Sequence, residues 1–327
     1  MFVVTGGAGF LGSNLLAALE GRGELVVCDR LGSDERWRNL AQRELADVVR
    51  PEDLFTFLDG ASRKIEAIFH LGAISTTTER DVDAIVANNV RLTLDLVEWC
   101  AVRGVRLIYA SSAATYGDGA AGFNDDGSPE ALARLRPLNA YGWSKHLVDR
   151  RIARLRAASA PLPPQCVGLK FFNVYGPNEY HKGRQRSVVH QVFGQVRDGG
   201  GAARLFRSHR KDVPDGGQMR DFVWVGDCTA AILWLLDHPR LSGLFNLGTG
   251  KARSFLDLAH AVFAALGQAP RIEWVDTPPE IRDRYQYFTE ARMERLRAAG
   301  FTAAPTPLEE GVQRYVQNFL RQADPYL

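Results

Sequence analysis

A glycine-rich turn near the start of the chain limits the fold more than any other feature. The run Thr5-Gly6-Gly7-Ala8-Gly9-Phe10-Leu11-Gly12 lies between a short apolar segment and a segment with helical periodicity. Glycines at a strand-to-helix junction let the backbone approach a pyrophosphate at the positive end of the helix, whereas a tight turn without a ligand rarely needs three of them. The sequence therefore predicts a dinucleotide-binding unit whose cofactor contacts are Gly6, Gly9, Phe10, Leu11 and Gly12.

Short β-branched runs alternate with helical patterns over the first two-thirds of the chain. This alternation predicts a parallel, doubly wound α/β sheet of the Rossmann type. The predicted strands are 2–5, 24–28, 67–70, 106–110 and 166–172. The helical patterns cover 11–19, 85–100, 147–155, 229–236, 255–266 and 308–320. We expect a cofactor-binding domain over residues 1–176, to which about 220–250 return, and a smaller α/β substrate-binding domain over 177–327.

The charge balance excludes several classes of partner. The 327 residues carry 40 Lys and Arg against 38 Asp and Glu, a net charge of +2, without a long basic run. The predicted partner is therefore a small molecule and not nucleic acid or a membrane. We also expect a soluble, cytoplasmic protein, because the chain opens on an apolar strand without a charged leader and has no apolar stretch long enough to span a bilayer.

The cysteines lie too far apart in the sequence to form a disulfide framework or a redox motif. Neither a Cys-x-x-Cys nor a His-Glu-x-x-His pattern is present, so the sequence predicts no metal site. We expect four reduced thiols with packing roles: Cys28, Cys100, Cys166 and Cys228.

The residues after the second predicted strand do not decide between NAD and NADP as the cofactor. Asp29 ends that strand, at the distance expected for a carboxylate that binds the adenosine ribose hydroxyls of NAD. Arg30, Arg36 and Arg38 follow, and a guanidinium there can hold the 2′-phosphate of NADP. The sequence therefore predicts one NADP or NAD per subunit. Asp47 is placed either to line the adenine pocket or to be a solvated loop carboxylate.

A tyrosine and a lysine four residues apart predict the catalytic centre. Tyr141 and Lys145 lie on one face of a predicted helix, so the ammonium can favour the phenolate form of the tyrosine. By itself such a pair is also typical of an exposed helix. Together with the glycine turn and Ser111-Ser112 after a strand, it predicts a redox active site in which Tyr141 is the acid or base.

Five motifs in this order make the chain similar to the extended short-chain dehydrogenase/reductase family. They are the glycine turn, His70-Leu71-Gly72-Ala73, residues 111–117, Tyr141 with Lys145, and residues 220–227. The resemblance implies that Ser112 binds the reacting oxygen, that Tyr141 is the general acid or base, and that Lys145 holds the nicotinamide ribose. It also implies four further cofactor contacts: Leu71, Gly72, Ala73 and Asn89.

The position before Tyr116 argues against one branch of this family. The sugar nucleotide dehydratases of the family carry an Asp-Glu pair there, whereas this chain has Ala113-Ala114. Because an elimination needs an acid and a base to expel water, two alanines cannot support it. An epimerase or a reductase remains.

The finer likeness is to the ADP-L-glycero-D-manno-heptose 6-epimerase subfamily. It is carried by residues 110–117, by residues 172–177 followed by His181-Lys182-Gly183, and by residues 284–289. The resemblance implies transient oxidation of carbon 6″ of the heptose to a ketone, with Tyr141 and Lys182 each acting as acid or base for one epimer. A purely phosphate-binding role for Lys182 is the alternative.

The same resemblance implies a set of substrate contacts. They are Ser75, Thr76, Ser112, Asn173, His181, Arg220 and Tyr285. Ser75 to Thr77 could equally form a turn that caps the next helix, and Asn246 is expected to support a loop. The chain departs from the subfamily in residues 33–50 and in the longer, polar segment 207–219, of which 208–218 are expected to form a surface loop.

Two other functions remain open from the sequence. One is another sugar nucleotide epimerase, such as a UDP-hexose 4-epimerase in which Tyr141 works without Lys182. The other is a protein that senses NAD(P) without turnover, since a fold does not fix a function. The favoured resemblance implies supply of ADP-heptose for the lipopolysaccharide core or related glycans, and a homo-oligomer, with a pentamer as the expected form.

Overall fold

The computed structural model describes residues 1–282 and 285–327. Arg284, part of the predicted 284–289 motif, lies outside the described residues. The strands in chain order are β1 Phe2–Thr5, β2 Leu25–Cys28, β3 Asp47–Val49, β4 Ala67–His70, β5 Arg106–Ser112, β6 Cys166–Phe171, β7 Asn173–Tyr175, β8 Ala203–Phe206, β9 Met219–Arg220, β10 Phe222–Trp224, β11 Gly243–Leu247, β12 Arg253–Ser254 and β13 Ile272–Val275.

The helices lie between these strands along most of the chain. The α-helices are α1 Phe10–Leu19, α2 Leu54–Ala61, α3 Val82–Ile85, α4 Leu92–Arg103, α5 Pro129–Leu132, α6 Ala140–Ala157, α7 Val188–Asp198, α8 Val225–Asp237, α9 Phe255–Leu266, α10 Pro279–Arg282, α11 Glu294–Ala298 and α12 Leu308–Tyr315. Short 3₁₀ turns cover Glu35–Leu40, Pro51–Asp53, Ala113–Tyr116 and Tyr180–Gln185, and π-helical turns cover Val86–Arg91 and Val316–Leu320.

A seven-stranded parallel sheet forms the centre of the molecule, in the order β11-β6-β5-β4-β1-β2-β3. Apart from the edge strand β3, its strands are largely apolar and buried because helices cover both faces, which is the usual reason for continuous apolar runs in parallel sheets. The predicted Rossmann-type α/β fold is confirmed.

The register of this sheet brings the predicted site segments to one edge. Thr5 at the end of β1 is paired with Cys28 of β2 on one side and with His70 of β4 on the other. Ser112 at the end of β5 is paired with Phe171 of β6. The glycine turn, Asp29 and the residues that follow β4, β5 and β6 therefore all leave the sheet at its carboxyl edge, where ligands bind in open α/β sheets.

A second apolar cluster lies beyond the sheet. Helices α7, α9 and α12 form it together with the parallel pair β8 and β13 and the parallel pair β7 and β10. Val192, Phe263 and Val312 are buried at its centre. This cluster supports the segments that carry Lys182, Arg220 and the residues after β13.

Several element predictions needed correction. The predicted strand 106–110 continues to Ser112, and the predicted helix 147–155 begins earlier, at Ala140. Strands β3 and β11 were not predicted: β3 is short and largely exposed, and the Asn246 region of β11 was interpreted as a loop. The predicted helix 85–100 is divided into α3, a π-helical turn and α4. In the described ranges, no helix is both long and apolar enough to cross a membrane.

Candidate active site

The glycine turn has the crowded backbone that a dinucleotide cradle requires. A Cβ at Gly12 would lie 2.1 Å from the Gly6 carbonyl oxygen, and one at Gly6 would lie 2.5 Å from backbone atoms of Gly72. Gly6 also has a φ of +69°, which L side chains rarely adopt. Gly9 caps helix α1 without a side-chain hydrogen bond, so the first N–H groups of the helix stay available to a phosphate. The turn therefore fits a pyrophosphate.

Asp29 lies against this turn from the end of β2. Its Oδ2 accepts a hydrogen bond from the Ala8 N–H at 2.9 Å, and its Oδ1 accepts one from the Arg30 N–H at 2.8 Å. Burial raises the pKa of this carboxyl, and the hydrogen bonds from Arg30 and Ala8 oppose that shift. The carboxylate is thus held at the position where a ribose hydroxyl would meet it.

The three predicted phosphate-binding arginines all have acidic partners, and that of Arg38 is Glu35 or Asp324, each at 3.7 Å. Arg36 forms a paired contact with Asp34, at 2.9 Å from Nε to Oδ1, and its Nη1 donates to the Arg30 carbonyl at 3.2 Å. Arg30 is exposed and ion-paired with Glu52. Asp34 is itself exposed, so the Arg36 guanidinium can exchange this partner for a ligand phosphate at low energetic cost.

Asp47 lies farther from the edge than the sequence suggested. It is the first residue of β3, its side chain is exposed, and it is paired with Val26 of β2. Val49, two positions nearer the carboxyl edge, instead accepts a hydrogen bond from the Asp29 N–H at 3.1 Å. A contact between Asp47 and the adenine stays a prediction.

Asn89 supports the loop after β4 through its side-chain amide. Its Oδ1 accepts a hydrogen bond from the Ile74 N–H, and its Nδ2 donates to the Ile74 carbonyl, both at 2.9 Å. The same Nδ2 lies 3.1 Å from Ser144 Oγ on α6. Leu71 and Gly72 begin this loop with hydrogen bonds to Thr5 at 3.1 and 3.3 Å. Asn89 therefore fixes the path of residues 71–74 beside the glycine turn.

Ser112 and Tyr141 meet where β5 ends and α6 begins. Asn139 caps α6 by accepting a hydrogen bond from the Gly142 N–H at 2.8 Å. A Cβ at Gly142 would lie 2.6 Å from the Ala114 carbonyl oxygen, so glycine lets the helix start approach the turn after Ser112. Burial raises the pKa of the Tyr141 phenol, and the Ser112 hydroxyl opposes that shift. The two predicted catalytic hydroxyls are thus neighbours.

Lys145 is buried one helical turn after Tyr141. Burial lowers the pKa of its ammonium from 10.5 to about 8, and the Asp149 carboxylate opposes the shift. In the described part of the chain it has no ion-pair partner. An ammonium of lowered pKa on the same helix face as a phenol suits a tyrosine that must lose and regain a proton.

Lys182 is a second lysine of the predicted site, and it lies close to the glycine turn. Its Nζ lies 5.2 Å from the centroid of the Phe10 ring, within cation–π distance. Burial lowers the pKa of this ammonium, and Glu179 opposes the shift. Glu179 is buried and accepts hydrogen bonds from Ser187 Oγ at 2.6 Å and Tyr315 Oη at 3.0 Å. A second cation of reduced pKa therefore faces the start of α1.

Two asparagines that sequence reasoning missed attach this segment to the glycine turn. Asn39 Nδ2 donates to the Ala8 carbonyl at 2.8 Å and to the Asn178 carbonyl at 3.1 Å, and it lies 3.3 Å from His181 Nδ1. Asn178 has a φ of +70° and its Nδ2 donates to Ser13 Oγ at 3.0 Å. The order Pro177-Asn178 was a usable turn signal, since Asn tolerates the left-handed conformation.

The predicted substrate contacts near Lys182 lie on neighbouring loops. Thr76 Oγ1 donates to Gln185 Oε1 at 3.2 Å, which joins the loop after β4 to the Lys182 segment. The capping alternative for Ser75 to Thr77 is wrong, because Asp81 caps α3. Asn173 opens β7 with an exposed side chain. Roles for Ser75, Thr76, Asn173 and His181 in binding substrate stay predictions.

Arg220 and Tyr285 come together in an aromatic pocket. The Arg220 guanidinium carbon lies 5.5 Å from the ring centroids of both Tyr285 and Phe255. His209, from the segment 207–219, contacts the same pocket: its Nδ1 lies 2.9 Å from Tyr287 Oη. This pocket combines a buried cation with ring faces, a combination that suits a nucleotide base and its phosphates.

Other polar residues have structural roles. His70 is buried between Thr5 and Thr93, at 2.7 and 2.9 Å, and burial lowers its pKa to about 3. Asn246 on β11 accepts a hydrogen bond from Tyr116 Oη at 2.6 Å and donates one to the Phe123 carbonyl at 2.8 Å, so it supports the segment around Phe123. The predicted packing role of the four cysteines is confirmed, since all are buried and free. Among the described residues, no cluster of His, Cys, Asp or Glu could hold a metal ion.

Comparisons with known proteins agree with this geometry. Residues 2–248 match the model of the NAD dependent epimerase/dehydratase family. The ADP-L-glycero-D-manno-heptose-6-epimerase of Nitratidesulfovibrio vulgaris strain DP4 is 47% identical over 100% of both chains. The crystal structure of the Helicobacter pylori enzyme of the same name has a TM-score of 0.78 and 27% identity, over 97% of this chain and 95% of that one.

A solved complex with a cofactor is also similar. The Thermus thermophilus UDP-glucose 4-epimerase in complex with NAD has a TM-score of 0.72 and 26% identity, over 98% of this chain and 99% of that chain. The glycine cradle, the adjacent Ser112 and Tyr141, and the full-length relatives support one classification. The chain belongs to the NAD dependent epimerase/dehydratase family.

Proposed function

We propose that this chain interconverts ADP-D-glycero-β-D-manno-heptose and ADP-L-glycero-β-D-manno-heptose. The observation that carries the proposal is the placement of Lys182, a half-buried cation beside Phe10 at the glycine turn, in addition to Tyr141 and Lys145 on α6. The full-length likeness to an ADP-heptose epimerase supports the same substrate. An inversion at one carbon uses two acid/base groups of this kind, one for each face.

The protein residues move protons in this scheme. The glycine turn and Asp29 would hold a nicotinamide cofactor, which would supply hydride acceptance from carbon 6″ of the heptose and hydride return to the opposite face, with no net oxidation. Tyr141, with Ser112 beside it, takes the hydroxyl proton as the ketone forms. The Lys145 ammonium stabilises the phenolate. Lys182 then donates a proton to the ketone oxygen as the hydroxyl is restored, and the reverse reaction exchanges the two roles.

The test is to incubate the purified protein with ADP-D-glycero-D-manno-heptose and to follow carbon 6″ by NMR. We expect the L-glycero epimer to appear, and we expect Tyr141→Phe and Lys182→Met each to lose about a hundredfold or more of the rate. Arg184→Met is the matched control, because Arg184 is an exposed cation on the same turn as Lys182. It should keep the wild-type rate.

Isotope labelling separates hydride return from a carbanion route. In D₂O the hydrogen on carbon 6″ should stay unexchanged, because the hydride leaves and returns within one complex. Deuterium at carbon 6″ would overturn the proposed chemistry. Conversion of UDP-galactose without conversion of the heptose would identify a hexose 4-epimerase. Cofactor binding without any conversion would identify a sensing protein.

We infer that the cofactor is NADP, with Arg36 on its 2′-phosphate and Asp29 on its ribose; NAD is the alternative. We further propose residues 1–176 with about 220–250 as the cofactor domain and 177–327 as the substrate domain. The proposed setting is a cytoplasmic homo-oligomer, expected to be a pentamer, that supplies ADP-heptose for lipopolysaccharide core or related glycans. Light scattering measures the assembly directly.

A further inference from the structure

A buried ion pair lies behind the catalytic residues. The Asp149 Oδ2 and the Lys170 Nζ are 3.0 Å apart, and both side chains have an exposed fraction of 0%. Removing two charges from water is unfavourable unless further hydrogen bonds satisfy both groups. Such a pair next to an active site therefore needs an explanation beyond fold stability.

Hydrogen bonds connect the pair to the end of β5, which carries Ser112. Asp149 accepts from Ser111 Oγ at 2.7 Å and from Tyr109 Oη at 3.2 Å. Lys170 donates to Thr115 Oγ1, which in turn donates to the Ser112 carbonyl at 2.8 Å. The pair thus contacts the residues on both sides of Ser112.

The same pair is connected to the helix that carries the other two catalytic residues. Asp149 follows Lys145 by one helical turn and Tyr141 by two, so the three side chains share one face of α6. Burial lowers the pKa of the Lys145 ammonium and raises that of the Tyr141 phenol; the Asp149 carboxylate opposes the first shift and adds to the second. Its charge is therefore felt at the reacting groups.

A glycine makes room for this arrangement. A Cβ at Gly168 on β6 would lie 2.4 Å from the Tyr109 hydroxyl oxygen. Without a side chain at that position, the Tyr109 hydroxyl can point towards Asp149. The backbone of the neighbouring strand is thus adapted to the cluster.

We infer that Asp149 and Lys170 form a positioning pair for the proposed epimerisation: Asp149 presents the negative charge that the Lys145 ammonium faces, and the pair fixes Ser112 relative to Tyr141. This inference rests on the proposed function for its catalytic meaning. Neither residue is placed in contact with substrate, so both act through Lys145, Tyr141 and Ser112.

Burial also shifts the pKa of the other titratable groups around the pair. Burial raises the pKa of Tyr109 and of Tyr116 well above 10, and burial together with Lys170 lowers the pKa of His146 to about 4. Asp125 lies 3.8 Å from Arg295, and burial raises the pKa of its carboxyl. Lys145, with a pKa of about 8, titrates between neutral and mildly alkaline pH.

The decisive measurement is a direct titration of Lys145 by NMR with lysine labelled at the ε-carbon. The sequence contains six lysines, so the spectrum is simple, and the signal missing from Lys145→Met assigns the residue. In Asp149→Asn we expect the midpoint of Lys145 to fall by about one pH unit, because an opposite charge is lost. The alkaline limb of the epimerisation rate should move by the same amount. Lys182 lies on another element, so its midpoint serves as the internal reference and should not change.

Two further variants separate charge from structure. Tyr109→Phe removes a neutral donor to the same carboxylate and should leave the Lys145 midpoint unchanged. Asp149→Asn leaves Lys170 buried without a counter-ion and lowers stability, so Asp149→Asn with Lys170→Met is made as well. If the pair had only a structural role, the double variant would restore both the wild-type Lys145 midpoint and the stability. That result would overturn the inference. We expect the lowered midpoint to persist, because the carboxylate is absent in both variants.

The NMR titration also separates this inference from the proposed function. If wild-type protein fails to epimerise the heptose, the proposed function fails, yet the Lys145 midpoint still reports on Asp149. If wild-type protein is active and the midpoint does not change in Asp149→Asn, the inference about the pair fails alone.

Discussion

The side-chain amide of Asn39 donates a hydrogen bond to the carbonyl of Asn178 at 3.1 Å, and a second one to the Ala8 carbonyl at 2.8 Å. One buried side chain therefore joins the cofactor turn to the segment that carries Lys182. The Oδ1 of Asn39 is buried and, within the described residues, has no protein donor. A bound ligand or water is the natural partner for such an oxygen.

Replacement of Asn39 tests this connection. Asn39→Ala leaves two buried carbonyls unpaired, and we expect the free energy of unfolding to fall by about 2 kcal/mol. We also expect the dissociation constant for NADP to rise about tenfold. Calorimetric titration and urea unfolding measure the two effects. Gln42→Ala, at an exposed position close by, should change neither. Unchanged cofactor affinity in a folded Asn39→Ala protein would contradict the expectation.

Two glycines in helices give opposite predictions for the same substitution. In Gly12→Ala the new Cβ meets the Gly6 carbonyl at 2.1 Å, so we expect loss of cofactor binding and reduced stability. Gly60 on α2 has nothing within 4 Å of its would-be Cβ. Gly60→Ala should therefore raise the free energy of unfolding by about 0.5 kcal/mol, since alanine favours the helix. Thermal unfolding with and without cofactor distinguishes the two variants. If Gly12→Ala and Gly60→Ala changed the unfolding temperature equally in both conditions, the glycine turn would not be crowded.

Arg36 should decide the choice between the two nicotinamide cofactors. We expect Arg36→Ala to weaken NADP binding about tenfold or more and to leave NAD binding unchanged, because only NADP carries the 2′-phosphate. Arg103→Ala is the control, since Arg103 is an exposed cation at the end of α4 and is ion-paired with Asp59. An unchanged ratio of the two affinities in Arg36→Ala would indicate NAD as the natural cofactor.

We expect the buried Lys145 ammonium to lower the free energy of unfolding, although the residue is required for activity. Its folded pKa of about 8 lies below the ordinary 10.5, so between these values the unfolded chain binds more protons than the folded one. The free energy of unfolding therefore rises as the pH rises through that window, because the destabilisation caused by the Lys145 ammonium decreases. At neutral pH we expect Lys145→Met to be more stable than wild type by on the order of 2 kcal/mol, although inactive. Urea unfolding should show that advantage shrinking as the pH approaches 10.5; an advantage independent of pH would contradict the assignment.

The sequence was sufficient for the parts of the fold that local patterns determine. Continuous apolar runs identified β1 and β4 to the residue, and helical periodicity identified α9. Strand β11 escaped prediction because it pairs with β6 far earlier in the chain, and such pairing leaves no local mark. Helix α6 was started too late, although Asn139 is an ordinary capping residue.

The site was predictable where residues touch the ligands and less so where they touch one another. The spacing of Tyr141 and Lys145 was visible from the sequence. Asp149 lies four residues after Lys145 and continues the same face, so it was available to the same reasoning. Its partner Lys170 and the Asn39 to Asn178 contact were not, because they depend on how distant segments meet.

The contact between Gly6 and Gly72 has a consequence for recombination. A Cβ at Gly6 would enter the backbone of the loop after β4, at 2.5 Å from Gly72. A chimaera that takes β1 from one homologue and β4 from another therefore joins two loops that fit only without a side chain between them. A crossover between these strands will be tolerated only where the parent that supplies β1 has glycine at this position. A close match over the remainder of the two parents does not replace that requirement.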